Sequence, residues 1–234
     1  MPGTLSGKVA VVTGATRGAG RGIACMLGEA GATVYCTGRS IRGVRYVLNR
    51  TETIEETAEM VSARGGVGLW HQVDHTQPEE VKNFFKRVGD EQAGKLDILV
   101  NNITGDGHIQ LGQPFVEHSL DQGLISLHNG IHTHVITNYF ATQLMIKQQR
   151  GLIVEINDGN YIGYNSAGLY YSLTKTSAVL LAYFLAKELK PHNITALALT
   201  PGYLRSERML EHFGVTEANW RDAIAQDEVF AHSE

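Results

Sequence analysis

Val9-Ala10-Val11-Val12-Thr13-Gly14-Ala15-Thr16-Arg17-Gly18-Ala19-Gly20 is the stretch that decides the fold of this chain. Val9 to Val12 are apolar without a break, which reads as a strand buried on both faces. The glycines behind it allow a sharp turn, and the pattern becomes helical from Gly18 to about Ala30. A strand, a glycine-rich turn and a helix N-terminus form a seat for an anion. The free N–H groups point outward, and a backbone without Cβ atoms can approach a pyrophosphate closely. The spacing is Gly-x3-Gly-x-Gly, not the Gly-x-Gly-x-x-Gly of the commonest dinucleotide fingerprint, and a plain strand-to-helix turn is the competing reading.

The same alternation continues outward from this unit. Further strands are expected at 33–37, 67–73, 96–100, 152–156 and 194–199. Helices are expected at 52–63, with Glu55, Glu56 and Glu59 on the wet side, at 78–88 with Pro78 near its start, at 120–146 and at 170–189. Strands apolar on both faces, each followed by a helix, predict an α/β fold, a single doubly wound parallel sheet with helices on both faces. No repeat or linker divides residues 1–234, so one domain is expected, with a helical, charged tail after Pro201 and no seventh strand before Glu234.

Composition removes several function classes. The 234 residues are 43% apolar and 19% charged, too apolar and too weakly charged for a disordered chain. The formal charge of −4, from 20 Lys+Arg against 24 Asp+Glu, gives no general pull toward nucleic acid or anionic membrane. Cys25 and Cys36 make neither a disulfide framework nor a CxxC pair, and Met1–Gly7 is too short and polar for a secretory signal. The longest apolar run, Ala178–Ala186, is about half of a membrane span. A reduced, cytoplasmic protein is expected.

The exit of the second strand selects the nucleotide. An Asp or Glu there would bind a ribose 2′-hydroxyl, but this chain has Thr37-Gly38-Arg39-Ser40, with Arg42 close behind and Arg17 in the glycine loop. Two guanidiniums and a hydroxyl suit a 2′-phosphate, which predicts NADP(H); solvated surface arginines are the plainer alternative. The longer exit 41–50, with Arg42, Arg45 and Arg50, either clamps that phosphate or is a surface loop.

Tyr171-Ser172-Leu173-Thr174-Lys175 places a phenol and an ammonium at i and i+4, on one helix face. The cation favours phenolate and makes the tyrosine a usable general acid/base. With this pair on the page the chain resembles the short-chain dehydrogenase/reductase (SDR) family over nearly its whole length. The landmarks run in order: TGATRGAG at 13–20, Asp74, Asn101-Asn102, Tyr171 with Lys175, and Pro201-Gly202. The resemblance implies a Rossmann-like oxidoreductase that moves hydride between NADP(H) and a carbonyl or alcohol substrate. In it Tyr171 handles the proton and Lys175 holds the nicotinamide ribose. It implies cofactor contacts from Gly14, Thr16, Arg17, Gly18, Ala19, Gly20, Arg39 and Ser40. Asp74 is implied at the adenine, Asn101 in the cleft, Pro201-Gly202 over the nicotinamide, and Ser206 where the family often has a cofactor-contacting Thr. It also implies a homodimer or homotetramer and a further strand C-terminal to this tail.

Two positions depart from the family. Its usual Ser, thirteen residues before the tyrosine, is here Asp158, expected close to Tyr171 and either protonated or bound to a polar substrate group. The helix Asn falls at Asn129 or, by the count from Met145, on Gly130. Asp158 keeps two alternatives open: an NADP(H)-binding protein with little catalysis, and an SDR-type epimerase or dehydratase. His128, His132 and His134 share one expected helix without a completing carboxylate or Cys, so no metal site is assigned. His108, Tyr161 and Tyr164 either face the pocket or serve surface and packing roles. Helix 173–189 is apolar nearly all round and must be covered on two sides, by the sheet and by either a partner subunit or the chain's own tail.

Overall fold

β1 (Val9–Thr13) is buried along its whole length because its side chains enter two cores. Val9 and Val11 pack with Phe84, Leu99, Met145 and Ile153 on one side of the sheet. Ala10 and Val12 pack with Ala24, Val34, Ile54 and Val61 on the other. This is why the run lacks alternation. The computed structural model describes residues 3–44, 46, 50–105, 107, 109–158 and 167–233. Arg45, His108, Tyr161 and Tyr164 lie outside the described residues.

β1 pairs in parallel with β2 (Thr33–Gly38) on one side and β4 (Ile98–Asn101) on the other. With β3 (Val67–Gln72), β5 (Gly151–Ile156) and β6 (Ile194–Leu199) the sheet order is β3-β2-β1-β4-β5-β6. The chain reverses its winding direction between β1 and β4. In such a sheet the crevice for a ligand opens there, beyond the carboxyl ends of the strands. The connecting helices are α1 (Gly18–Glu29), α2 (Ile54–Ala63), α3 (Pro78–Glu91), α4 (Leu120–Leu127), α5 (Thr133–Gln148) and α6 (Leu169–Glu188). Among the described residues no helix is long and apolar enough to cross a membrane.

Three sequence expectations need correction. Glu55 is buried, not wet, because its Oε1 accepts the Arg42 backbone N–H at 3.0 Å. β3 is an edge strand with exposed Val67 and Trp70, so it is not apolar on two covered faces. The single helix expected at 120–146 is broken by a π turn at His128–His132 between α4 and α5. The break lies where Gly130 passes close to α6: a Cβ on Gly130 would stand 2.6 Å from Thr174 Cγ2. Of the two covers expected for the apolar α6, which buries Thr174, Ala178 and Ala182 and exposes Leu180, Tyr183 and Phe184, the described tail is not the one. It folds α7 (Glu207–His212) and short 3-10 turns around Phe230, which meets Tyr203, Phe213 and Trp220.

His75, just past β3, is fully buried between Thr37 Oγ1 (2.9 Å from Nε2) and Thr137 Oγ1 (2.8 Å from Nδ1). Burial pushes its pKa down to about 3, with Asp74 opposing and His134 adding. The folded chain holds His75 neutral while the unfolded chain protonates it below about 6.5. Its contribution is therefore complete above that pH and falls as pH drops, by about 1.4 kcal/mol per unit. Denaturant melts between pH 7 and 4 are expected to show a shallower loss of stability in His75→Gln than in the unmodified chain.

Candidate functional site

At the carboxyl end of β1 the chain turns through Gly14 (φ +62) and Gly18 (φ +55), the left-handed region that glycine adopts without strain. Gly20 is demanded by space: its Cβ would fall 2.3 Å from Gly14 O and 2.7 Å from Asn102 Nδ2. Asn102 pins the loop, donating from Nδ2 to Gly14 O at 3.2 Å and from its backbone to Thr13 Oγ1 at 3.0 Å. The Thr16 carbonyl accepts from Arg21 Nε at 3.1 Å, and Ala19 lies in the first turn of α1.

The N-terminus of α1 already receives an anion. Gly18 N–H donates to Glu207 Oε2 at 2.7 Å, and Arg21 Nη1 lies 3.8 Å from the other oxygen. Ser206 caps α7 beside it, its Cβ 3.6 Å from where a Gly18 Cβ would stand. The resemblance pointed to Ser206; Glu207 was missed, and no spacing rule marks it. A loop with left-handed Gly14 and Gly18 and no room for a Cβ at Gly20, opening on an N–H that binds a carboxylate, fits the diphosphate of a dinucleotide.

Arg39 follows β2, its Nη1 3.9 Å from Asp74 Oδ2 and its guanidinium 5.0 Å above the Tyr46 ring. The Asp74 carboxylate also accepts from the Thr76 backbone (3.0 Å) and hydroxyl (2.7 Å). Ser40 Oγ accepts from the Tyr46 backbone at 3.4 Å. The other arginines are not gathered here. Arg42 pairs with Glu59 at 2.6 Å on the surface, and Arg50 bridges Glu52 (3.5 Å) and Glu211 (2.6 Å). Burial holds the Arg17 guanidinium below its ordinary pKa; Glu52 and Glu207 oppose this, Arg50 and Arg208 add to it, and Arg39 is not among these charges.

Across the crevice, Lys175 Nζ lies 5.4 Å from the centre of the Tyr171 ring and 3.6 Å from Asp158 Oδ1. The lysine side chain is 12% exposed and the aspartate 40%. Asp158 therefore stands beside the pair, within ion-pair distance of the lysine. Asn129 is half-buried in the π turn, its carbonyl bonded to the Thr133 hydroxyl at 2.5 Å. Gly130, not Asn129, lines the narrow cavity beside Lys175. Asn101 is buried and donates to Glu155 at 2.8 Å; its neighbour Asn102 is the one that reaches the loop. Pro201 is partly exposed and Gly202 (φ +76) exposed, the latter donating to Thr200 Oγ1 at 3.4 Å. The His128 and His132 rings lie 4.6 Å apart, tilted by 51°, whereas His134 points inward to Glu155.

Residues 8–214 match the family model for short chain dehydrogenase. The chain is 33% identical over 220 residues to human "Dehydrogenase/reductase SDR family member 1", covering 93% of this chain and 67% of that protein. It is 32% identical over 213 residues to the 3-oxoacyl-[acyl-carrier-protein] reductase of Aquifex aeolicus, covering 87% and 76%. The crystal structure of a metagenomic short-chain oxidoreductase in complex with NADP superposes with a TM-score of 0.72 at 26% identity, covering 85% of this chain and 84% of that one.

An anion arriving at Gly18 N–H has to displace Glu207 and then meets its charge nearby. Glu207→Gln keeps the hydrogen-bonding shape and removes the charge. Calorimetric titration with NADPH is expected to give a Kd lower by about three- to tenfold, the scale of one charge at a helix terminus. Weaker binding in the variant would identify Glu207 as a closing latch instead.

Proposed function

The chain belongs to the short-chain dehydrogenase family, a family of oxidoreductases that use a nicotinamide cofactor, and from that premise we propose that it is an NADP(H)-dependent reductase or dehydrogenase acting at a carbonyl or alcohol carbon. The observation that carries this reading is Lys175, whose ammonium lies against the Tyr171 ring on one face of α6. The bound nicotinamide supplies or accepts the hydride. Tyr171 gives or takes the proton at the substrate oxygen, and Lys175 steadies the charge that the tyrosine carries in turn. Asp158 is the lysine's anchor, so Tyr171 O–H is left as the donor to the reacting oxygen.

The cofactor choice is supported by the absence of a carboxylate directly after β2, where Arg39 stands, and by one structural neighbour that holds NADP. Arg17 stands among Glu52, Glu207, Arg50 and Arg208, and Arg42 and Arg50 are turned to carboxylates of their own, so the reading rests on Arg39. Exposed Leu180, Tyr183 and Phe184 on α6 and Leu124 and Tyr139 on α4 and α5 make apolar faces of one character. A second copy of this chain is the occupant that matches them, in a homodimer or homotetramer, and two free, buried thiols, Cys25 and Cys36, suit a cytoplasmic setting.

NADPH is expected to bind at least about tenfold more tightly than NADH, a preference that Arg39→Ala largely removes. Tyr171→Phe is expected to keep NADPH binding while reduction of a panel of aldehydes and ketones slows by about a hundredfold or more. Equal affinities for the two cofactors would overturn the nucleotide assignment, and a fully active Tyr171→Phe the mechanism. For assembly, sedimentation is expected to find a dimer or tetramer that Phe184→Glu dissociates.

A further inference from the structure

One buried ionisable pair lies behind the site and has no part in the chemistry above. Glu155, at the carboxyl end of β5, stands opposite Asn101 in the parallel register and is fully buried. Its Oε1 accepts from the side-chain amides of Asn101 (2.8 Å) and Asn138 (2.6 Å), and its Oε2 bonds His134 Nδ1. The other ring nitrogen, Nε2, lies 2.8 Å from Ile103 O. A carbonyl oxygen only accepts, so Nε2 carries a hydrogen; one more proton lies in the Nδ1–Oε2 contact, and on the ring it makes an imidazolium facing a carboxylate. Burial opposes that charge, but the charge and hydrogen bond of Glu155 with the Ile103 carbonyl overcome it, and the His134 pKa rises above its ordinary value.

The charged and titratable groups acting on His134 from other elements are few. Glu155 faces it from β5, Lys175 from α6 opposes its charge, and His75 interacts from the segment after β3, next to Asp74. His134 and Lys175 line the same narrow cavity, with Gly130 and Thr174 between them.

We propose that His134 is a positioning residue of the reaction site: its imidazolium neutralises Glu155 and ties Asn101 and the Ile103 carbonyl into one buried frame, so that Lys175 faces Tyr171 and Asp158 with no second carboxylate behind it. The inference rests on the assignment of Tyr171 and Lys175 above. Without the imidazolium, Glu155 is an uncompensated carboxylate in the interior. Lys175, which shares the cavity with His134, is then the cation that answers it, and an added negative charge behind the pair disfavours a phenolate at Tyr171.

The test is a charge cycle of His134→Gln, Glu155→Gln and the double variant, read by NADPH affinity and by the pH profile of kcat. His134→Gln leaves the carboxylate alone and is expected to lower kcat by about tenfold and move the alkaline limb up by about one pH unit, while NADPH affinity changes by less than about threefold. The double variant has no buried charge and is expected to return the limb to its original position. If His134→Gln fails to fold, the double variant is still expected to fold with the original limb. A limb that stays put in His134→Gln, or a double variant that unfolds or keeps the displaced limb, overturns the proposal. A second readout needs no substrate. The NMR titration of the His134 ring is expected to shift up by about half a unit or more in Lys175→Met, which removes the opposing charge. An unmoved ring denies the coupling whatever Tyr171→Phe does, whereas activity surviving in Tyr171→Phe overturns the assignment and leaves the ring's titration standing.

Discussion

β1 carries side chains into two cores at once, and the remaining architecture is arranged around that double burial. A strand with no wet face must have partners on both edges and helices on both faces, which β2, β4, α1 and the helices of the opposite layer supply. Reversal of the winding at β1 then opens a crevice at its carboxyl end, where Thr13 meets Gly14. The tight loop follows from the same constraint. A Cβ on Gly20 would stand 2.3 Å from Gly14 O, so a residue without one lets α1 start directly over the strand end, and Asn102, leaving the neighbouring β4, closes the loop from the other side.

The crevice gathers charge in a definite order. Its phosphate end is positive by virtue of the α1 terminus and Arg17, and a carboxylate from the tail, Glu207, occupies it. Its reaction end is built on Lys175, which has the Tyr171 ring on one side and Asp158 on another. Lysine is the flexible member of this group, with a four-carbon stem and three donors, so the surrounding anions decide where its charge is felt. Asp158 in place of a neutral hydroxyl makes the lysine's surroundings more acidic than the family pattern leads one to expect.

Much of this was legible in the chain before any coordinates. The alternation of apolar runs with amphipathic segments marked the six strands, most plainly β1, where burial on two faces writes a continuous apolar run, and Tyr171 with Lys175 stood out by helical spacing alone. Less legible was whatever depends on a partner distant in sequence. Glu55 looked solvated because its acceptor role is for the Arg42 backbone, thirteen residues back. The helix break at 128–132 follows from Gly130 meeting Thr174, a contact between segments more than forty residues apart that leaves no period in either. Asn101 and Asn102 were separated only by the pleat of β4, which turns one amide inward to Glu155 and the other toward Gly14.

Glu155 is the extreme case of that rule. It sits in Gly151-Leu152-Ile153-Val154-Glu155-Ile156, where a lone acid in an apolar strand reads as a break in the pattern, and His134 follows a π turn whose two histidines, His128 and His132, are exposed. Each residue is anomalous alone, since an unpaired charge in the core costs several kcal/mol. Together, with Asn101, Asn138 and the Ile103 carbonyl satisfying the remaining positions, they form a neutral unit that a sheet end can accommodate. A hydrophobic pair of similar volume would fill the same space without the desolvation cost, so stability alone does not account for the choice. What a hydrophobic pair would lack is direction: it would hold neither the Asn101 amide nor the Ile103 carbonyl at the mouth of a crevice whose chemistry depends on where Lys175 can place its charge.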